Sequence, residues 1–271
     1  MLKQRVITAL ILVILLLAAL FALPRAGWAA LALGVVMLGT AEWARLARFS
    51  ERGALAYWWV TLLAMATLIY VVGLGNTPYP SLHLIIYIFS ALLWLLVPFW
   101  LTLGWQVRNR GLMALVGWLL LIPTGLAMMD LRDASPWLLL GVMALVWAAD
   151  VAAFFAGRKF GKHKLAPSIS PGKTWEGVAG AVLGVSLYVV LAGWGSGLVH
   201  GLNFLLLVLA SWLWVALSVI GDLFESAIKR QAGVKDSGAL LPGHGGLLDR
   251  IDALTPTLPL AALMLLLKDM I

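Results

Sequence analysis

The sequence predicts an all-α polytopic integral membrane protein with about nine transmembrane helices and a cytoplasmic N-terminus. Three observations carry that expectation. Of 271 residues, 63% are hydrophobic and 11% charged. A soluble domain has about 25% charged and 45–50% apolar residues, so lipid must solvate most of this apolar surface. Nine apolar runs approach or reach the roughly 20 residues that a spanning helix requires. Lys and Arg are distributed between those runs with a strong alternating bias.

The first run, 6–23, follows Lys3 and Arg5. It is longer than the roughly 7–15 apolar residues of a secretory signal, so an uncleaved first span is expected. The run 27–41 is short. Runs 54–75, 82–103, 111–129, 136–155, 177–199 and 202–220 are each long enough to span. The last, 254–267, is short and holds Pro256 and Pro259, which are expected to kink it or delay its start. Gly180 with Gly184 and Gly193 with Gly197 predict close helix packing in the seventh run. Trp28, Trp43, Trp58, Trp59, Trp105, Trp137 and Trp175 fall near run ends, where amphipathic rings favour the membrane interface. The chain divides into residues 1–135, with about five spans, and 136–271, with about four spans and two charged loops.

With the N-terminus inside, sixteen of the nineteen Lys and Arg residues lie on the cytoplasmic side. Only Arg25, Arg132 and Lys268 fall outside, as the positive-inside rule requires. The formal charge of +7 does not indicate a nucleic-acid partner, because the basic residues alternate with apolar spans and form no single basic face. It suits anionic membrane lipids. The absence of cysteine excludes disulfides, thiolate metal sites and cysteine nucleophiles.

Orientation does not explain the acids. Residues 150–176 and 222–252 hold sixteen of the 31 charged residues, including Asp150, Glu176, Asp222, Glu225, Asp236, Asp249 and Asp252. A carboxylate at a span end is costly unless hydrated, paired or bound to a cation. On a helix, Asp222, Glu225, Ser226 and Lys229 share one stripe, and Asp249 and Asp252 are one turn apart. Oxygen-only ligands suit Mg²⁺. A cap or ion-pair network with Arg230 and Arg250 accounts for the same pattern, and spacing alone does not choose between the two. Between these acids lies Leu241-Pro242-Gly243-His244-Gly245-Gly246, either an anion-binding nest of backbone N–H groups or a turn. His244 is a candidate base or phosphate donor there. Ser170-Pro171-Gly172-Lys173-Thr174-Trp175-Glu176 evokes a phosphate loop, but Pro167 stands where that pattern needs glycine. What remains is a rigid turn presenting Ser170, Lys173 and Thr174, with Lys159, Lys162 and Lys164 close in sequence.

Ser226-Ala227-Ile228-Lys229-Arg230, Lys235-Asp236, Pro242-Gly243-His244-Gly245-Gly246 and Asp249-Arg250-Ile251-Asp252 together resemble, over 27 contiguous residues, the signature of bacterial phosphatidate cytidylyltransferases, also called CDP-diacylglycerol synthases. The block Ser170-Pro171…Lys173-Thr174-Trp175-Glu176-Gly177 is similar to that family too. Phe154 stands where many relatives carry tyrosine, and Gly172 where many carry lysine. The resemblance implies transfer of CMP from CTP to phosphatidate in phospholipid synthesis, at a bacterial inner membrane, by a site facing the cytoplasm. It implies Mg²⁺ at Asp222, Asp249 and Asp252, with a second cation left open, and catalytic roles for Lys229, Arg230, His244 and Asp249. Substrate contacts are implied from Ser170, Lys173, Thr174, Ser226, Lys235, Gly245, Gly246 and Arg250. A homodimer is what the resemblance suggests.

The chemistry is consistent with those residue types. A phosphate monoester has a second pKa near 6, so the nucleophile is already largely dianionic and needs no strong base. The obstacle is bringing two polyanions together, which cationic groups and metal relieve. A CTP-dependent lipid-alcohol kinase, acting on dolichol or phytol, is the nearest rival. A transporter is the more distant one, since transporters place ionisable groups near the bilayer midplane.

Overall fold

The computed structural model describes residues 2–74, 80–196, 201–240 and 245–270. Its elements are α1 (Leu2–Ala22), α2 (Arg25–Leu46), α3 (Glu51–Leu68), α4 (Pro80–Leu103), α5 (Arg110–Ala134), α6 (Pro136–Phe160), β1 (Lys164–Ala166), β2 (Ser170–Thr174), α7 (Trp175–Ser196), α8 (Leu202–Ala232), α9 (Leu248–Ile251) and α10 (Leu254–Met270). The all-α expectation holds, with one small antiparallel hairpin added. Among the described residues, seven helices are long and apolar enough to cross a membrane, α2 to α8. Shorter apolar helical stretches occupy Leu10–Ala22 and Leu254–Lys268. The predicted count of nine therefore rests on these two.

The second run, expected to be short, forms a helix of 22 residues, and the first one of 21. α2 continues through Glu42, Trp43 and Arg45 to Leu46, because the Glu42 carboxylate is received by protein donors. α8 similarly runs twelve residues past position 220, carrying its charged stripe out of the apolar stretch. Pro256 sits in the first turn of α10, where a missing N–H costs little, so the helix starts without delay.

α2 and α5 run antiparallel at the centre of the main core. Two tryptophans expected at the interface are instead buried there. Trp28 donates its indole N–H to the Met128 carbonyl at 2.9 Å, and Trp43 to that of Met113 at 2.7 Å. Gly117 makes room for the second contact, since a Cβ there would lie 2.4 Å from the Trp43 ring and from the Tyr57 hydroxyl. Trp59, Trp105, Trp137 and Trp175 are exposed, and Trp58 is half-buried. α10 packs on α4 and α5, so the helices of 1–135 and 136–271 share one core. α6 and α7 form the tightest pair. Gly180 and Gly184 meet Ala156 and Ala152 so closely that a Cβ would fall within 2.2 and 2.4 Å of their methyls. The predicted Gly180–Gly184 contact is thus made. Gly193 meets Phe204, while Gly197 lies outside the described residues.

Candidate active site

The charged stripe of α8 forms as the spacing predicts. Ser226 Oγ donates to Asp222 Oδ1 at 3.2 Å. Lys229 Nζ lies 2.5 Å from both Glu225 Oε2 and Asp249 Oδ1, and all three side chains are largely buried. Removing Lys229 would leave two neighbouring acids without their cation in low dielectric. The helix then ends at Gly233, whose φ of +72° is a left-handed cap. Gly221 brings α8 against the α9–α10 junction: a Cβ there would lie 2.5 Å from the Asp252 carbonyl oxygen. The two carboxylate faces therefore meet, as expected from sequence.

The glycine-rich segment, open in sequence between a nest and a turn, is described at Gly245 and Gly246, and there the Gly246 N–H binds a carboxylate of the protein itself. Asp249 Oδ2 accepts from Ser237 N at 2.9 Å, Ser237 Oγ at 2.9 Å and Gly246 N at 2.8 Å. Glu42, reaching in from α2, accepts from Leu247 N, Leu248 N and Ser237 Oγ. Gly245 has φ +81°, and a Cβ on it would approach Asp249 Oδ2 to 2.6 Å. The glycines leave space for carboxylates. His244, with residues 241–243, lies outside the described residues.

The second stretch folds over α8. Lys164–Ala166 pairs with Ser170–Thr174, Lys164 opposite Thr174 and Ala166 opposite Ser170. Arg230 Nε donates to the Ile169 carbonyl at 3.3 Å, fastening the hairpin to the end of α8. Lys173 Nζ then reaches Asp222 Oδ2 at 2.6 Å. Thr174 is buried and its Oγ1 accepts from Gly177 N, so this predicted substrate contact caps α7. Glu176 holds the turn before the hairpin through the N–H groups of Lys162 and His163. Under the hairpin lies a groove of about 460 Å³. Arg158, Ser170, Lys173, Asp150 and Asp222 line its polar side, and Ala149, Ala153, Phe154, Val178 and Ala181 its apolar side. The wall is thus polar and charged at one side and apolar at the other.

Several acids crowd together here. Burial, then the neighbouring charges of Asp222 and Glu225, push the Asp252 carboxyl well above the ordinary carboxylate range. Burial also raises Asp249, but the Lys229 hydrogen bond and the Gly246 and Ser237 N–H groups outweigh it and hold this carboxyl below its usual value. Asp150 adds a further charge on the groove wall, with Ser218 Oγ 3.4 Å away. Glu225 and Asp252 flank a second cavity of about 20 Å³, room for one water-sized particle. Among the described residues no three His, Cys, Asp or Glu side chains already converge on one metal position. The donor set is nevertheless all oxygen, which fits a hard divalent cation.

Of the predicted residues, Ser170, Lys173, Asp222, Ser226, Lys229, Arg230, Gly245, Gly246, Asp249 and Asp252 gather at this end of the bundle. Lys235 and Arg250 are exposed beside it. Glu42 was missed. Its only signal was an acid immediately after the run 27–41, and nothing local names its partners 195 to 206 residues away. Asp150 was noticed as an acid but not placed in the site.

A lipid-facing helical bundle with a basic hairpin over paired carboxylates at one end is the layout of a membrane enzyme acting on phosphorylated substrates. The chain belongs to the cytidylyltransferase family, whose model matches residues 3–268. It is 42% identical to the phosphatidate cytidylyltransferase of Pseudomonas aeruginosa, over 98% of this chain and 97% of that protein. It is 39% identical to that of Haemophilus influenzae over 96% of each. Over 121 residues, 42% of the chain, it is 50% identical to that of Brucella suis.

Proposed function

We infer that this protein transfers CMP from CTP to phosphatidate, releasing pyrophosphate and forming CDP-diacylglycerol. The observation that carries the reading is the groove, in which Ser170, Lys173 and Asp222 stand at the polar end of an apolar wall. The near-full-length likeness to two phosphatidate cytidylyltransferases supports it.

A phosphate oxygen of phosphatidate attacks the α-phosphorus of CTP. The new P–O bond forms as the bond from that phosphorus to the bridging oxygen breaks, and pyrophosphate leaves with the electron pair. Since the lipid phosphate is already anionic, the residues need only hold and neutralise. Lys173 and Arg230, with the Ser170 hydroxyl, would take the triphosphate on the hairpin side. Lys229 is held between Glu225 and Asp249 as a buried positive charge. Asp222 and Asp252 would hold Mg²⁺, and Asp249 would join them on releasing Lys229. Bound there, the ion would supply charge neutralisation at the reacting phosphates. The Lys and Arg bias supports a site facing the cytoplasm, where CTP is found.

Purified protein in mixed micelles with CTP, Mg²⁺ and phosphatidate is expected to yield pyrophosphate and a CMP-bearing lipid, and to stop on chelation. A parallel reaction with a lipid alcohol should yield nothing. CDP and a phosphorylated alcohol would instead establish the kinase.

A further inference from the structure

We propose that Glu42, on α2 in the N-terminal half, is a positioning residue that clamps segment 237–249 and thereby aims Asp249 at Lys229. The proposal rests on the roles assigned to Asp249 and Lys229 above.

Glu42 is 3% exposed. A carboxylate so buried is tolerated only when hydrogen-bonded, and this one takes all its described donors from one distant segment. Oε1 accepts from Leu247 N at 2.9 Å. Oε2 accepts from Leu248 N at 2.9 Å and lies 2.8 Å from Ser237 Oγ. Hydrogen bonds to an ionised acceptor are shorter and roughly twice as strong as neutral ones. Ser237 Oγ is also 2.9 Å from Asp249 Oδ2. A hydroxyl has one proton, so a single O–H is shared between the two carboxylates and sets their separation. Asp249 Oδ1 is then left pointing at Lys229 Nζ.

The glycines of the segment carry the imprint of the same contact. A Cβ on Gly238 would lie 2.5 Å from Glu42 Oε1, and one on Gly246 would lie 2.5 Å from Glu42 Oε2 and 2.2 Å from Ser237 Oγ. The backbone has been brought onto the Glu42 carboxylate as closely as side-chain-free residues allow. Two turns of the chain, 237–238 and 246–248, are thus joined through one acid that belongs to neither. An ordinary core contact would explain burial. It would not explain three donors and two glycines converging on one carboxylate beside Asp249.

The test uses the full-length enzyme and Glu42→Gln, which keeps the volume but cannot accept at both ends. The expected kcat falls about ten- to a hundredfold, as small misplacements of a catalytic group do, while KM for CTP and phosphatidate stays within about twofold. Deuterium uptake should rise in peptides covering 237–249 and stay unchanged in those of α5. Unaltered kcat would overturn the proposal, as would uptake rising throughout the bundle, which marks a merely structural acid. Ser237→Ala is the second probe if Glu42→Gln does not fold: a smaller fall in kcat with the same local uptake is expected, and wild-type kcat and uptake would refute the clamp. If the wild-type enzyme makes no CMP-lipid, the proposed reaction fails, and the uptake measurement still judges the clamp.

Discussion

Asp130 and Asp252 are both half-buried carboxylates, at opposite ends of the bundle. Gln231 on α8 exchanges hydrogen bonds with the backbone of Val107, so the start of α5 lies beside the ionic cluster. Asp130 lies roughly 30 Å farther along that helix. There Tyr87 donates to Asp130 Oδ2 at 2.7 Å, and His83 Nδ1 lies 2.6 Å away. Nearby, Arg132 donates to the Leu20 and Leu23 carbonyls and covers the Trp28 ring. This end joins helices with one acid and matching donors. At the other end Asp150, Asp222, Glu225, Asp249 and Asp252 crowd together, with Lys173 on Asp222 and Lys229 between Glu225 and Asp249. A lone acid met by its donors serves architecture; neighbouring carboxyls pushed in opposite directions, Asp249 down and Asp252 up, mark a candidate functional site.

That contrast can be broken by mutation. Asp222→Asn or Asp249→Asn is expected to lower turnover by at least about a hundredfold while the protein still inserts and elutes normally; near-wild-type turnover would remove these acids from the cation site. Tyr87→Phe should cost about 1–3 kcal/mol of stability by leaving Asp130 with one fewer donor, read as a lower unfolding midpoint at unchanged kcat. A fall in kcat there would mean that the two ends are coupled. Lys173→Ala should lower kcat/KM about tenfold, measured with CTP as the varied substrate. Gly172 lines the groove with open space around its Cβ position, so Gly172→Lys is expected to lower KM for CTP by about a factor of two to five through added positive charge. Arg25→Ala, which removes an exposed pair with Asp133, should change stability by no more than about 1 kcal/mol.

Much of this was legible in the chain. Apolar runs predict spans because lipid imposes a length and a composition on any helix that crosses it. The α8 stripe follows from helical periodicity, and the Gly180–Gly184 contact from a small-residue pattern. Other features were not legible. Trp28 and Trp43 lie at run ends like the interfacial tryptophans, and only the carbonyls of α5 distinguish them. Thr174 reads as part of a phosphate-binding turn until its partner, Gly177 N, is seen.

The sequence by itself determined the solvent of this protein, its helical class and the residue types of its chemistry, because each depends on local composition and spacing. Tertiary structure alone decided which carboxylate faces which donor. Asp249 looks like a metal ligand in the signature, yet here it is held by Lys229, Ser237 and Gly246. Glu42 looks like an ordinary acid at the end of a span, yet it joins that signature from another helix. Hydrogen bonds act over about 3 Å of space, and separations of 195 to 206 residues along the chain leave no local trace of them.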